Sequence, residues 1–167
     1  MCLILLLVGY LFIQSSAKKE REKIVQWVEE NDGRVDFGHA KWIEELWPFI
    51  KQWVKKFNTE RLTIIDLRST NVSDISTLKG LKHLEYLFLS ETEIEDITEL
   101  SGLRSIEWLD LANTQVDDIS VLKNFTKLRI LAIGGTQVSD ISVLKNLTTL
   151  KIVTLVKTQV KMDQLKE

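Results

Sequence analysis

Two aspartates are the first candidates for chemistry. Asp66 and Asp110 sit in similar apolar stretches, TIIDL and EWLDL, 44 residues apart. Paired carboxylates are what a glycosidase uses, one as acid and the other as base or nucleophile. No positioned acid–base partner accompanies this pair. His39 and His83 lie far apart in the chain, and His83 falls at a surface position. Cys2 is the single cysteine, which leaves no internal disulfide and no cysteine-based zinc site. The motifs G-x-x-x-x-G-K-S/T, G-x-S-x-G and H-E-x-x-H do not occur. Gly134-Gly135 suits a narrowing of the surface better than a phosphate cradle. The expectation is a chain without catalytic residues, metal site or cofactor, hence not an enzyme.

Composition narrows the alternatives. The chain has 167 residues, of which 44% are hydrophobic, enough for one domain with a real core. Its 22 basic and 24 acidic residues give a net charge of -2, with no general pull toward nucleic acid or anionic lipid. One proline and seven glycines fit an ordered domain.

The elements that must position any site are repeated ones. Leu62, Leu84, Ile106, Leu128 and Leu150 are each 22 residues apart. Counting from them, the fourth position is Ile65, Leu87, Leu109, Leu131 and Val153. The sixth is Leu67, Leu89, Leu111, Ile133 and Leu155. Apolar residues return again at Val72, Ile94, Val116, Val138 and Val160, at Ile75, Ile97, Ile119 and Ile141, and at Leu78, Leu100, Leu122 and Leu144. No unit can bury these residues alone, and stacking the units buries them against one another, which makes a solenoid. The L-x-x-L-x-L segment alternates with period two and predicts a strand. The D-I-S/T-x-L-x-x-L segment has helical spacing. Asp74, Asp96, Asp118 and Asp140, or the Ser/Thr beside them, can cap that turn.

The phrase L-x-x-L-x-L-x-x-T-x-V/I-x-D-I-x-x-L-x-x-L resembles the bacterial leucine-rich repeat, of the 22-residue type found in internalin-like proteins. The resemblance covers residues 62–165, as four full units and a fading fifth. It implies an α/β solenoid, a right-handed coil with a concave parallel β-sheet and an N-terminal helical cap. The family usually places Asn at the ninth position, bonding backbone between coils. Here Thr70, Thr92, Thr114, Thr136 and Thr158 stand there, and their hydroxyls are expected to do similar work. The fifth unit departs from the pattern after Val160, where Met162, Asp163 and Lys166 replace the expected Asp, Ile and Leu.

In that fold the third and fifth positions point outward from the concave sheet. The third-position column is Ile64, Tyr86, Trp108, Ile130 and Ile152, apolar throughout, with neighbours about 4.8 Å apart. The fifth is Asp66, Phe88, Asp110, Ala132 and Thr154, which puts Asp66 and Asp110 about 10 Å apart. An apolar stripe with two large aromatics on a solvent face signals binding. It also suits any strand, because Ile, Tyr and Trp fit a pleated surface. The expected ligand-binding residues are Ile64, Asp66, Tyr86, Phe88, Trp108, Asp110, Ile130 and Ile152. Arg68, Glu91, Glu93, Asn113 and Lys157 form a polar rim. That mixture suits a protein or peptide partner. A nucleic-acid groove would need a basic stripe following the aromatics, and there is none.

The front of the chain divides into two further segments. Residues 1–17 are apolar from Cys2 to Ile13, with KKEREK following Ala17. Three readings stand: a membrane anchor, a signal peptide cut after Ala17, and a buried core helix. If the run spans a membrane, Lys18, Lys19, Arg21 and Lys23 place the repeats on the cytoplasmic side, and cleavage would instead export them. Residues 18–61 read as a helical cap. A helix over 18–31 with Ile24, Val25 and Val28 on one side stops at Asn31-Asp32-Gly33, a short strand covers Arg34 to Phe37, and a second helix, interrupted at Pro48, runs from about 40 to 57. Trp27, Trp42, Trp47 and Trp53 all lie here, sealing the core's end or making a second interaction surface. The anchor and cap preceding the repeats resemble a group of bacterial membrane-anchored leucine-rich repeat proteins. The expected function is a membrane-tethered, protein-binding module. The alternative is a passive structural or cell-envelope scaffold, self-associating through the last coil, residues 150–167. The oligomeric state stays open.

Overall fold

The structure, a computed structural model, describes residues 19–20, 22–38, 61–161 and 164. The apolar run over 1–17, the expected second helix with Trp42, Trp47 and Trp53, and the departures at Met162, Asp163 and Lys166 lie outside the described residues.

The first element is a helix over residues 22–30. Ile24 and Val28 are buried on its inner side, and Trp27 packs against the same core. The Asn31 side-chain amide donates to the Trp27 carbonyl at 2.8 Å, and the Gly33 N–H bonds the Val28 carbonyl at 2.8 Å. These bonds occupy carbonyls left open at a helix end. Strand β1 (Arg34–Gly38) follows, and β2 (Arg61–Asp66) pairs with it antiparallel, with an irregularity between Asp36 and Phe37. The cap therefore supplies the sheet with an antiparallel edge strand as well as a helix.

From β2 onward the sheet is parallel. Strands β3 (Tyr86–Phe88), β4 (Trp108–Asp110), β5 (Ile130–Ala132) and β6 (Ile152–Thr154) follow in chain order, giving a six-stranded sheet β1-β2-β3-β4-β5-β6. The register advances one repeat per strand, so that Ile64, Tyr86, Trp108, Ile130 and Ile152 stand side by side. Leu87, Leu109 and Leu131 point the other way and are wholly buried. Each strand is short, but the ladder runs on past it. Ser69, Glu91, Asn113 and Gly135 donate their N–H groups to the carbonyls of Ser90, Ala112, Gly134 and Val156 at 2.8–2.9 Å. One turn later Glu93, Gln115, Gln137 and Gln159 bond back to Val72, Ile94, Val116 and Val138 at 3.0–3.1 Å. Coils are thus joined by main-chain bonds, which any sequence can make.

The ninth-position threonines work differently from the expectation. Each hydroxyl donates to the carbonyl three residues earlier in its own coil, Thr92 to Leu89 at 2.6 Å and Thr114 to Leu111 at 2.7 Å, for example. They brace the turn after the strand and do not join coils. A hydroxyl reaches less far than an amide, and the local carbonyl satisfies its single donor.

That turn carries left-handed backbone at one recurring position. Ser69, Glu91, Asn113, Gly135 and Lys157 have φ of 57°, 60°, 57°, 73° and 61°. A side chain costs about 1–2 kcal/mol in this region. Lys157→Gly should therefore raise stability by about 1 kcal/mol, seen as a higher denaturation midpoint with unchanged circular dichroism. An unchanged or lower midpoint would show that the left-handed turn is not strained there.

The return path uses 3₁₀ turns in place of the expected helix: Ser76–Leu78, Thr98–Gly102, Ser120–Asn124 and Ser142–Asn146. A 22-residue coil leaves few residues for its back, and 3₁₀ geometry covers more length per residue than an α-helix. The aspartates act as anticipated. Asp74, Asp96, Asp118 and Asp140 accept the N–H two residues on at 2.7–2.8 Å. The Ser76 N–H, then its hydroxyl, hold the Asp74 carboxyl below its ordinary value, and Ser142 does the same for Asp140. A depressed folded value means that the stabilisation is complete above the ordinary value of 3.8 and is lost as the pH falls through the folded one. Asp74→Asn with Asp140→Asn should flatten the loss of stability between pH 5 and pH 2, measured by urea denaturation against the parent chain. An equally steep loss in both would assign the acid sensitivity elsewhere.

Between sheet and back lies one continuous apolar core. Ile94, Leu100, Leu103, Val116, Leu122 and Phe125 have essentially no exposure, Phe125 filling a position that is leucine in the neighbouring coils. The core thins toward the last described coil, where Val153, Leu155 and Val160 are half-buried.

Candidate functional site

Every third- and fifth-position side chain faces away from that core, because its neighbours in the strand are committed to it. Ile64, Tyr86 and Ile130 are half-buried, while Trp108 is 37% and Ile152 52% exposed. Trp108 meets Phe88 edge-to-face, with ring centroids 5.1 Å apart and planes at 78°. This geometry sets the positive edge of one ring toward the negative face of the other. The eight residues expected to bind ligand lie on one face, and the register brings Ile64, Tyr86, Trp108, Ile130 and Ile152 into one row. The rim residues Arg68, Glu91, Glu93, Asn113 and Lys157 are all exposed.

The two aspartates are not brought together as an acid–base pair. Phe88 stands between them in the row. Asp66 is committed to Arg68: its carboxylate accepts Nε at 2.8 Å and Nη2 at 2.6 Å, and the guanidinium also lies over the Phe88 ring, 5.1 Å from its centroid. The arginine's hydrogen bonds lower the Asp66 carboxyl's pKa, and the same bonds raise that of Arg68. Asp110 instead accepts the Ala112 N–H at 3.0 Å. Among the described residues no group of three or more His, Cys, Asp or Glu side chains could hold a metal ion.

Two features escaped the sequence reading. One is Arg68 lying across Asp66 and Phe88. Its signal was available, since residues 66 and 68 differ by the two-residue period of a strand and Phe88 is one repeat beyond Asp66. The other is a column at the second position that is charged from the second coil on, Glu85, Glu107, Arg129 and Lys151, with Glu107 and Arg129 paired across coils at 3.6 Å. Gly134 and Gly135 follow the strand Ile130–Ala132 at its opposite end, where backbone and side chains of neighbouring coils come close. A Cβ on Gly134 would come within 3.0 Å of the Val156 carbonyl oxygen, and one on Gly135 would collide with the Asn113 side chain.

A curved parallel sheet with one short strand per 22-residue coil and a solvent-facing apolar row defines a class. Residues 60–116 match the family described as leucine rich repeat, and residues 104–146 match leucine rich repeats in two copies, so the chain carries a leucine-rich repeat domain. Such domains generally act as protein-interaction modules and are typically non-enzymatic. Among solved structures, the chain is similar to an internalin, InlF, from Listeria monocytogenes, at 28% identity and a TM-score of 0.61, covering 64% of this chain and 32% of that one. It is also similar to internalin C2 of the same organism, at 34% identity and a TM-score of 0.55, covering 58% of this chain and 43% of that one. A leucine-rich repeat protein of Leptospira interrogans, 14% identical with a TM-score of 0.56 over 63% of this chain and 34% of that one, shares the fold. The chain thus spans less than half the length of each of these structures. No curated protein matches it by sequence. Among the described residues no helix is long and apolar enough to cross a membrane.

Proposed function

We propose that the domain is a non-enzymatic binding module that holds a protein or peptide partner on its concave sheet. The observation that supports this best is the unbroken apolar row with Trp108 exposed at its centre. Covering the 37% of Trp108 that remains exposed gives further burial free energy, and aromatic anchors near the middle of a surface dominate interface energies. The row is rimmed by charge on both sides, as protein interfaces are. The first segment, residues 1–17, tethers the module to a membrane, and the basic residues Lys18, Lys19, Arg21 and Lys23 favour the cytoplasmic side for the repeats.

The test is proximity labelling in the native cell with the labelling enzyme fused after Glu167, run on the parent chain and on Trp108→Glu. Labelled cytoplasmic proteins that disappear in the variant are the expected result. Labelled envelope or extracellular proteins would overturn the orientation. A labelling pattern indifferent to the substitution would remove the concave face from the function.

A further inference from the structure

We infer that Asp110 is the docking point for a basic side chain, lysine or arginine, of an extended peptide segment lying on the concave sheet. This rests on the concave-face reading above and specifies the chemistry of the partner.

The repeat itself supplies the template. Asp66 and Asp110 occupy the same position of their coils, and their carboxylates make the same backbone bond, Asp66 to the Arg68 N–H at 3.2 Å and Asp110 to the Ala112 N–H at 3.0 Å. In the first coil the residue making that bond is an arginine, and its guanidinium occupies the remaining carboxylate positions in two parallel bonds. In the third coil the equivalent residue is Ala112, whose methyl group has no hydrogen bond to offer the carboxylate. Among the described residues Asp110 forms no ion pair. The first coil therefore displays how a guanidinium seats against this carboxylate, and the third coil repeats the seat and omits the occupant.

The surroundings fit a cation arriving from outside. Trp108 precedes Asp110 on the same strand face, and Phe88 neighbours it in the row, so an aromatic pair stands beside the carboxylate. Cations are attracted to such ring faces, as Arg68 already is to Phe88. On the other side the next strand offers only Ala132, which leaves room where the first coil's neighbour places a phenylalanine. Charge complementarity points the same way. Residues 84–127 carry ten acidic and three basic side chains. Glu85 and Glu107 lie at the sheet's margin in the same two coils, and Glu91 and Glu93 at its rim. A partner that covers Asp110 without bringing donors strips water from a carboxylate and leaves it unpaired, which is unfavourable. A basic residue restores the lost bonds, and arginine does so bidentately while stacking on the rings. An extended segment fits because its side chains recur with the strand period and can meet row and column together.

The experiment uses the full-length chain in neutral detergent as bait for a phage-displayed library of random ten-residue peptides. Clones that also bind Trp108→Glu are discarded. The expected result is a lysine or arginine enriched at one position of the retained peptides. Replacing that residue by glutamine should weaken binding about tenfold in fluorescence anisotropy. Asp110→Asn should erase the difference between basic and glutamine peptides, while Glu95→Gln, the same change of charge away from the sheet, should preserve it. Ala112→Arg rebuilds the first coil's arrangement in the third and should block the basic peptide by filling its seat. Retained peptides without a basic position, or a basic preference that survives Asp110→Asn, overturn the inference and leave the concave face as the binding surface. A library yielding no Trp108-dependent peptide overturns both.

Discussion

Gly33→Ala should cost the domain about 3 kcal/mol, at the upper end of what overpacking a core produces. The glycine joins the cap to the solenoid at the point of closest approach. A Cβ there would lie 2.6 Å from Leu67 Cδ2, 2.7 Å from Val28 Cγ1 and 2.8 Å from the Asp66 carbonyl oxygen. Neither side chain can move aside, since Leu67 and Val28 are both wholly buried. The carbonyl is less yielding still, because it belongs to β2, which pairs with β1 on one side and β3 on the other. Relief requires the helix over 22–30 to lift away, and lifting it uncovers Val28 and Leu67, which are both wholly buried. Denaturant unfolding followed by circular dichroism measures the loss. Gly102→Ala is the control, with nothing within 4 Å of the added methyl. Equal effects at the two positions would mean that cap and first coil are not in close contact.

Trp108→Glu should abolish partner capture while costing the fold no more than about 1.5 kcal/mol. The side chain is 37% exposed and, among the described residues, its ring contact is with Phe88, so its removal opens no cavity in the core. Leu109, next to it, is wholly buried and would show the contrast, since Leu109→Ala should cost about 2–5 kcal/mol. A glutamate at 108 replaces the largest apolar surface of the row with a charge that must be desolvated on binding, next to the carboxylate of Asp110. Pull-down from native membranes, with thermal denaturation as the check on folding, separates the two effects. A variant that unfolds would show that Trp108 supports the core, contrary to its exposure. A folded variant that retains its partners would place the binding surface elsewhere.

Much of this architecture was legible because the 22-residue period states each constraint repeatedly. Leu87, Leu109 and Leu131 had to share an environment, and one register satisfies all three. The strand at Arg34 announced itself by the alternation of Val35 and Phe37, and the aspartates by standing before each turn on the back. What the pattern could not disclose was geometry finer than periodicity. Helical spacing in D-I-S/T-x-L-x-x-L does not separate α from 3₁₀ over five residues, and the length left for the return path decides it. The threonine hydroxyls point within the coil because of a carbonyl whose position depends on the left-handed residue before them. Gly33 read as a helix stop, yet its closest constraint is the Leu67 side chain just after β2, far away in sequence. The binding row was legible as a column of residue types. The strand period and the repeat placed Arg68 within reach of Asp66 and Phe88, but neither states that the guanidinium turns onto both.

The reversed direction of β1 bears on how such a chain can change in size. The antiparallel strand, with its irregularity between Asp36 and Phe37, gives one flank of the sheet a shape that no 22-residue unit reproduces. The junctions between units are all alike, made by the same main-chain bonds at every step. Removing or duplicating one whole unit between residues 84 and 149 would rejoin equivalent partners, and the cap would meet the same first coil as before. Span is therefore a parameter that can be altered by arithmetic, in steps of one strand spacing, while the ends keep their identity. What such an alteration changes is the order of Tyr86, Trp108, Ile130 and Ile152 along the groove, so editing the number of coils also edits what the groove can read.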